Sequence, residues 1–217
     1  MSGVDAPDIL VRAREFLIID KPAGLPVHPG RAGGPSVEDF FPAWRRGRNG
    51  PWLAHRLDMD TAGCLLVALQ KSFLLRAQAA FAAGQVEKIY WAVLRGVPAV
   101  PEGVIDVALA KHVEGRGWKM APDAHGQAAV THWRVLGAAA DKALVEFRPK
   151  TGRTHQIRAH AAWLGHPIMG DAVYGGGAGA LQLLARGLSL PTSPPVAATA
   201  PVPQHMREAV EACIGTF

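Results

Sequence analysis

The first strongly apolar run along the chain is FLII at 16–19, and with its flanking acids it predicts a short strand over 15–20. KPAGLPVHPG follows, dense in turn formers, and opens a structured loop. Ser36 is placed to cap a short helix reaching Trp44, after which RRGRNGP is basic, glycine-containing and solvent-facing. CLLVAL at 64–69 is short and continuous enough for a buried strand. From Ser72 to Ala83 the period becomes helical, with Phe73, Leu74, Ala77 and Phe81 near helical spacing and Gly84 as the stop.

Beyond Gly84 the period changes again. KIYWAVLRG at 88–96, GVIDVALA at 103–110, AAVTHWRVLG at 128–137 and KALVEFRPK at 142–150 are rich in β-branched and aromatic residues and separated by Pro and Gly. Successive strands of this kind predict antiparallel pairing. Thr154 is expected to cap a helix THQIRAHAAWLG, with Ile157, Ala161 and Leu164 on one face and His155, Arg158 and Ala162 on the other, so that Arg158 leaves the core and faces a cleft. Gly175–Gly179 reads as a flexible loop, LQLLARGLSL as a further strand, and the Pro/Ala-rich 191–203 stretch as a lead into a C-terminal helix. Runs of strands with few helices favour α+β over a βαβ sheet. The expectation is one domain over 1–217, with a mixed, mostly antiparallel sheet split by a central cleft.

Composition narrows the function classes. The chain is 49% hydrophobic and 19% charged, which excludes disordered and fibrous proteins. Lys+Arg 23 against Asp+Glu 18 gives +5, and 16 of the cations are arginines, the residue that forks onto phosphates. A polyanionic partner fits that excess, although basic charge alone also fits proteins that never meet nucleic acid. Cys64 and Cys213 form no CxxC pair, which points to a reducing cytosol rather than a disulfide framework. There is neither a signal-like N-terminus nor a long apolar run, so the expected location is cytoplasmic, with no membrane partner.

Three motifs mislead. GGGAGA at 175–180 has the dinucleotide spacing but no leading apolar strand and no later acidic partner. DMDTAG at 58–63 begins like a calcium loop, yet Ala62 and Leu69 occupy positions that require oxygen ligands; the same residues lack the apolar strand and hydroxyl of a haloacid-dehalogenase-like phosphatase. His155, His160 and His166 miss the i, i+4 geometry of helical zinc ligands, so hydrogen bonding is expected of them, and no metal.

HRLD at 55–58 is the polar cluster that carries chemistry. An isolated LD pair would be a turn aspartate bonding its own backbone. Here HRLDMDTAGCLLVA resembles the HRLDxxTSG segment of RluA-like pseudouridine synthases, with Ala62 in place of Ser. DKPAGLPVH at 20–28, EKIYWAVLRG at 87–96 and RPKTGRTHQIRAHAAWLGHPIMGDAVYG at 148–175 resemble three further family segments in the same order. A weaker trace runs through LQLLARGLSL to APVP at 200–203, where Ala185 stands in the position of a family histidine. The resemblance reads the chain as a short form without an N-terminal S4-type module.

What the resemblance implies is isomerisation of uridine within RNA, with no cofactor and no metal. Asp58 would be the nucleophile, on ribose or on uracil, and the uridine would be extruded from its stack to reach it. Arg158 would be the basic partner that keeps the aspartate charged, and Tyr90 the active-site tyrosine that stacks on uracil or relays a proton. Arg56, His55, Arg153 and His155 would contact RNA, His55 alternatively holding its motif in place. Arg45, Arg46 and Arg48 form a candidate phosphate patch or a solvated loop. The implied partner is structured RNA, a ribosomal or transfer RNA stem-loop, with no obligatory protein partner. The competing class is a catalytically inactive RNA-binding or RNA-chaperone module on the same fold.

Overall fold

The computed structural model describes residues 5–30, 33–115 and 117–215. In chain order the elements are β1 (Asp8–Arg12), β2 (Phe16–Lys21), a 3₁₀ turn (Val37–Phe40) running into α1 (Phe41–Trp44), β3 (Trp52–Leu53), β4 (Ala62–Ala68), α2 (Lys71–Ala82), β5 (Glu87–Arg95) and β6 (Glu102–Asp106). They continue with β7 (Leu109–Glu114), β8 (Gly117–Pro122), β9 (Val130–Ala139), β10 (Lys142–Pro149), α3 (Gln156–Trp163), β11 (Leu183–Leu190), β12 (Val196–Thr199) and α4 (Gln204–Ile214). The class is α+β, with mixed, mostly antiparallel strands and four α-helices among the described residues. The chain forms two compact units, Met1–Lys88 with Ala185–Pro201 and Ile89–Leu184 with Val202–Phe217. No helix among the described residues is long and apolar enough to cross a membrane.

In the first unit the strand order is β1, β2, β4, β11, with β3 against β4 and β12 against β11. All seven residues of β4 are buried, and so are Phe16 to Ile19 of β2. Both faces of these strands are covered, so their sequences read as continuous apolar runs rather than alternation. Phe73 of α2 stacks on Phe16 with ring centroids 4.5 Å apart, and Leu74 and Ala77 complete the buried side of that helix. The loop from β3 to β4 carries HRLD, so the motif leads directly into a fully buried strand.

In the second unit β5, β10, β9 and β6 pair antiparallel in that order. Ala92, Leu94, Val145 and Phe147 build the core with Trp133 and Ile105, and α3 adds Ile157 and Ala161 to it. Along α4, Met206, Val210 and Cys213 are buried at helical spacing, and the helix packs on β9 and β10. Gly137 permits that approach, because a Cβ there would enter the Cys213 carbonyl. β7 and β8 form a separate two-stranded hairpin.

Several sequence expectations are corrected. The single strand expected over 103–110 is two strands: the Val107 N–H still reaches the Ala129 carbonyl in register with β9, but the Val107 carbonyl accepts from His160 instead. β1, β3, β8 and β12 were not expected. α3 begins at Gln156 rather than at Thr154: His155 is the N-cap residue in left-handed conformation (φ 51°), and no side chain caps the helix. Gln156 to Ala161 are all buried, so the helix has no solvent-exposed face there, and Arg158 is enclosed rather than turned out of the core.

Candidate functional site

Asp58 stands at the start of a tight turn, its carbonyl accepting from the Thr61 N–H at 3.2 Å, immediately before β4. Leu57 on one side and Thr61 and Ala62 on the other are buried, which fixes the turn from both ends. Beneath it lies Lys21, the last residue of β2, fully buried. Its ammonium donates three hydrogen bonds, each 2.8 Å, to the carbonyls of Pro22, Leu25 and Met59. An ammonium has three donors, so this one is fully satisfied without water. The Met59 carbonyl also accepts from the Gly24 N–H, so the KPAGL loop and the HRLDMD turn are joined at a single oxygen. Burial pushes the Lys21 pKa down to about 8, against the pull of Asp60, Asp58 and Asp20, which favour its charged form. At neutral pH a cation therefore sits behind the turn that presents Asp58.

His55 braces the same turn. Its Nε2 accepts the Leu66 N–H at 3.0 Å and its ring lies 4.8 Å from that of Phe81. Acceptance at Nε2 requires the neutral ring, and burial, with Lys88 adding to it, lowers the pKa to about 4. Of the two roles read from the sequence, holding the motif is the one this geometry displays. Arg56 is exposed, as are Arg45, Arg46 and Arg48, with Arg45 Nε donating to the Gly50 carbonyl.

In the second unit Tyr90 lies in β5 opposite Phe147 of β10, half-buried against the core. Arg158, 7% exposed, forks onto Asp171: Nε to Oδ2 at 2.7 Å and Nη2 to Oδ1 at 2.9 Å. Oδ1 also accepts the N–H groups of Val173 and Tyr174. The Tyr174 ring lies against the guanidinium at 5.3 Å. A buried ion pair survives desolvation only with such complete hydrogen bonding, and the fork fixes the guanidinium in the plane of the carboxylate.

The TGRTHQ segment is held by Gln156, whose side chain takes the Arg153 N–H and the Thr151 hydroxyl and gives to Val130 O and Thr131 Oγ1. Thr131 in turn meets His160 Nδ1 at 2.8 Å, while His160 Nε2 donates to the Val107 carbonyl. Burial lowers the His160 pKa, so this histidine is a neutral internal strut. Arg153 Nε donates to the Ala128 carbonyl, and the His155 ring stacks on Trp118 at 5.0 Å. Among the described residues no group of three or more His, Cys, Asp or Glu stands ready to hold a metal ion.

Sequence reasoning missed Lys21, Asp171, Tyr174 and Gln156 as positioning groups. All four lie within the motif segments quoted above. For Lys21 and Asp171 the signal was a charge set beside the turn residues Pro or Gly, as in DKPAG and MGDAV; Gln156 and Tyr174 carry no charge and offered no such signal.

Lys21→Met leaves the loop carbonyls without their donor. The expected result is a loss of about 1–3 kcal/mol in urea unfolding and faster amide exchange at Gly24; unchanged exchange contradicts the strut. For His55 the folded pKa of about 4 lies below the unfolded value near 6.5, so between them the unfolded chain binds the extra proton. Its contribution is complete above pH 6.5 and is lost as pH falls toward 4, by up to about 3 kcal/mol. His55→Gln keeps an acceptor without the titration, and its stability-versus-pH curve over that window is expected to be flatter than that of the parent protein.

A family model described as RNA pseudouridylate synthase matches residues 15–163. An uncharacterized RNA pseudouridine synthase of Zymomonas mobilis is 48% identical over 173 residues, covering 78% of this chain and 79% of that protein. The ribosomal large subunit pseudouridine synthase D of the same organism is 35% identical over 178 residues, covering 77% of this chain but 56% of its own length. The chain thus spans little more than half of several curated relatives. The solved structure of human RNA pseudouridylate synthase domain containing 4 matches with TM-score 0.81 at 27% identity, covering 94% of this chain and 92% of that one. The second human protein, domain containing 1, gives 0.75 at 30% identity, covering 93% and 86%. With the matched model spanning most of the chain, this protein belongs to the RNA pseudouridylate synthase family, isomerases that act on uridine in RNA.

Proposed function

We propose that the chain converts specific uridines of structured ribosomal or transfer RNA to pseudouridine, with Asp58 as the nucleophile. The observation that carries the reading is the turn at 58–61, which bears the family's HRLD aspartate and is locked from behind by the fully satisfied Lys21 ammonium. In the reaction Asp58 adds transiently to ribose or uracil and is released again; the bond from ribose C1′ to uracil N1 breaks, the base turns, a bond forms from C1′ to C5, the C5 proton leaves to solvent or a base, and N1 takes up one proton. Atoms are conserved and no redox partner is needed. The reaction asks the protein for an ionised carboxylate, a fixed cation and a flat surface for the base.

Asp58 supplies the first. Arg158, its plane set by Asp171, supplies the second, and the Tyr90 ring the third, with its hydroxyl available to carry a proton. A stacked uridine must be everted to reach Asp58, at a cost of a few kcal/mol that phosphate contacts offset. The exposed Arg56 and the arginines at 45, 46 and 48 are the cations this reading assigns to the RNA backbone.

The test uses unmodified transcripts of ribosomal and transfer RNA with nucleoside mass spectrometry. The parent protein is expected to form pseudouridine, and Asp58→Asn to form none while still binding RNA. Arg158→Ala is expected to lower the single-turnover rate by more than about 100-fold and RNA affinity by less than about tenfold. Product from Asp58→Asn, or equal loss of rate and affinity in Arg158→Ala, contradicts the assignment.

A further inference from the structure

Arg158 has a second support besides its carboxylate. A bidentate fork sets the guanidinium in the plane of Asp171 but leaves it free to hinge out of that plane. The Arg158 guanidinium carbon lies over the Tyr174 ring, 5.3 Å from its centroid, so the ring obstructs movement toward it and adds a cation–π attraction. The same tyrosine is tied at its other end. Its hydroxyl accepts the Met120 N–H of β8 at 2.9 Å and lies 3.1 Å from His155 Nδ1. Its backbone N–H is bound to Asp171 Oδ1.

Those contacts join Arg158 to the β7–β8 hairpin. Met120 packs with Leu109, Ala129 and Ala159 of α3, and Tyr174 packs against that cluster. Trp118, 42% exposed, stacks on His155 and carries Lys111 Nζ 4.7 Å from its ring centroid. His155 reaches Trp118 and Tyr174 together from its left-handed backbone position before α3. Hairpin, tyrosine and arginine are therefore consecutive members of one packed chain, with Gly170 allowing the return of the GDAVYG loop: its φ is +76°, and a Cβ would enter the Ala180 carbonyl.

We propose that Tyr174 is a positioning residue for Arg158 and ties the aim of that guanidinium to the docking of the β7–β8 hairpin. The role rests on the assignment of Arg158 under Proposed function. The ring supports the guanidinium, and the hydroxyl holds the hairpin.

Tyr174→Phe and Tyr174→Leu separate the two parts. Single-turnover pseudouridine formation is measured at saturating unmodified transcript, together with the transcript concentration at half saturation, the amplitude, amide exchange at Met120 and the Arg158 Nε–H resonance. Tyr174→Leu is expected to lower the rate about 30-fold with half saturation moved less than about threefold; Tyr174→Phe is expected to recover the rate to within about fivefold of the parent. Met120 exchange is expected to speed up in both, and the Arg158 resonance to shift in the Leu variant alone. A purely structural role would lower the amplitude, through unfolded protein, and leave the rate of the folded fraction intact. A parental rate in the Leu variant, equal rates in the two variants, or parental Met120 exchange in the Phe variant would overturn the proposal. If the parent protein forms no pseudouridine, the functional reading fails instead, and the Arg158 resonance still decides whether the ring sets the guanidinium.

Discussion

A guanidinium cannot be buried alone, and the second unit is organised around that constraint. Arg158 is enclosed in the first turns of α3, and what keeps it there is a carboxylate that is itself well hydrogen-bonded, with four N–H donors on its two oxygens. Asp171 provides this, and to do so the chain after Pro167 must bend tightly enough for two of its own N–H groups to reach Oδ1. The GDAVYG loop is thus the shape a charged side chain needs around it. Once formed, the pair gives up conformational freedom as well as hydration, and what it yields in return is a cation of fixed direction.

The first unit solves the same problem with an ammonium. Lys21 meets three carbonyls instead of one carboxylate, so its charge stays unneutralised at contact distance while all its donors are used. That arrangement suits a turn presenting an aspartate: the backbone is pinned and the carboxylates of the turn lie in the field of a cation. The two charges therefore differ in role. Lys21 fixes backbone, whereas Arg158 is itself the group being fixed.

Sequence patterns disclosed β2, β4, β5, β9, β10 and β11 from apolar, β-branched and aromatic runs, α2 from helical spacing, and α4 from the proline- and alanine-rich stretch that leads into it. They failed where an element is short or half polar: β1 is DILVR, β12 lies in a proline- and alanine-rich stretch, and β8 carries Lys119 and Trp118 toward solvent. At the break between β6 and β7 the Val107 carbonyl is taken by His160, 53 residues away, a contact no local pattern could announce. Helical periodicity assigned Arg158 to an open face because it takes the surroundings of a helix to be one-sided, and α3 is buried all around its first turns. Asp58, Tyr90 and Arg158 were legible as motif residues. The groups that hold them were not, since Lys21 meets Met59 across 38 positions and Arg158 meets Asp171 across 13, a spacing outside any helical or strand period.

The account stands on the claim that Arg158 acts as a cation aimed by Asp171. Asp171→Asn keeps the size and one acceptor of the side chain but removes its charge, and single-turnover pseudouridine formation on unmodified transcripts can be followed at a temperature where circular dichroism shows the variant folded. The rate is expected to fall about 100-fold with RNA affinity within about threefold of the parent. A folded Asp171→Asn protein that turns over at the parental rate would contradict the claim.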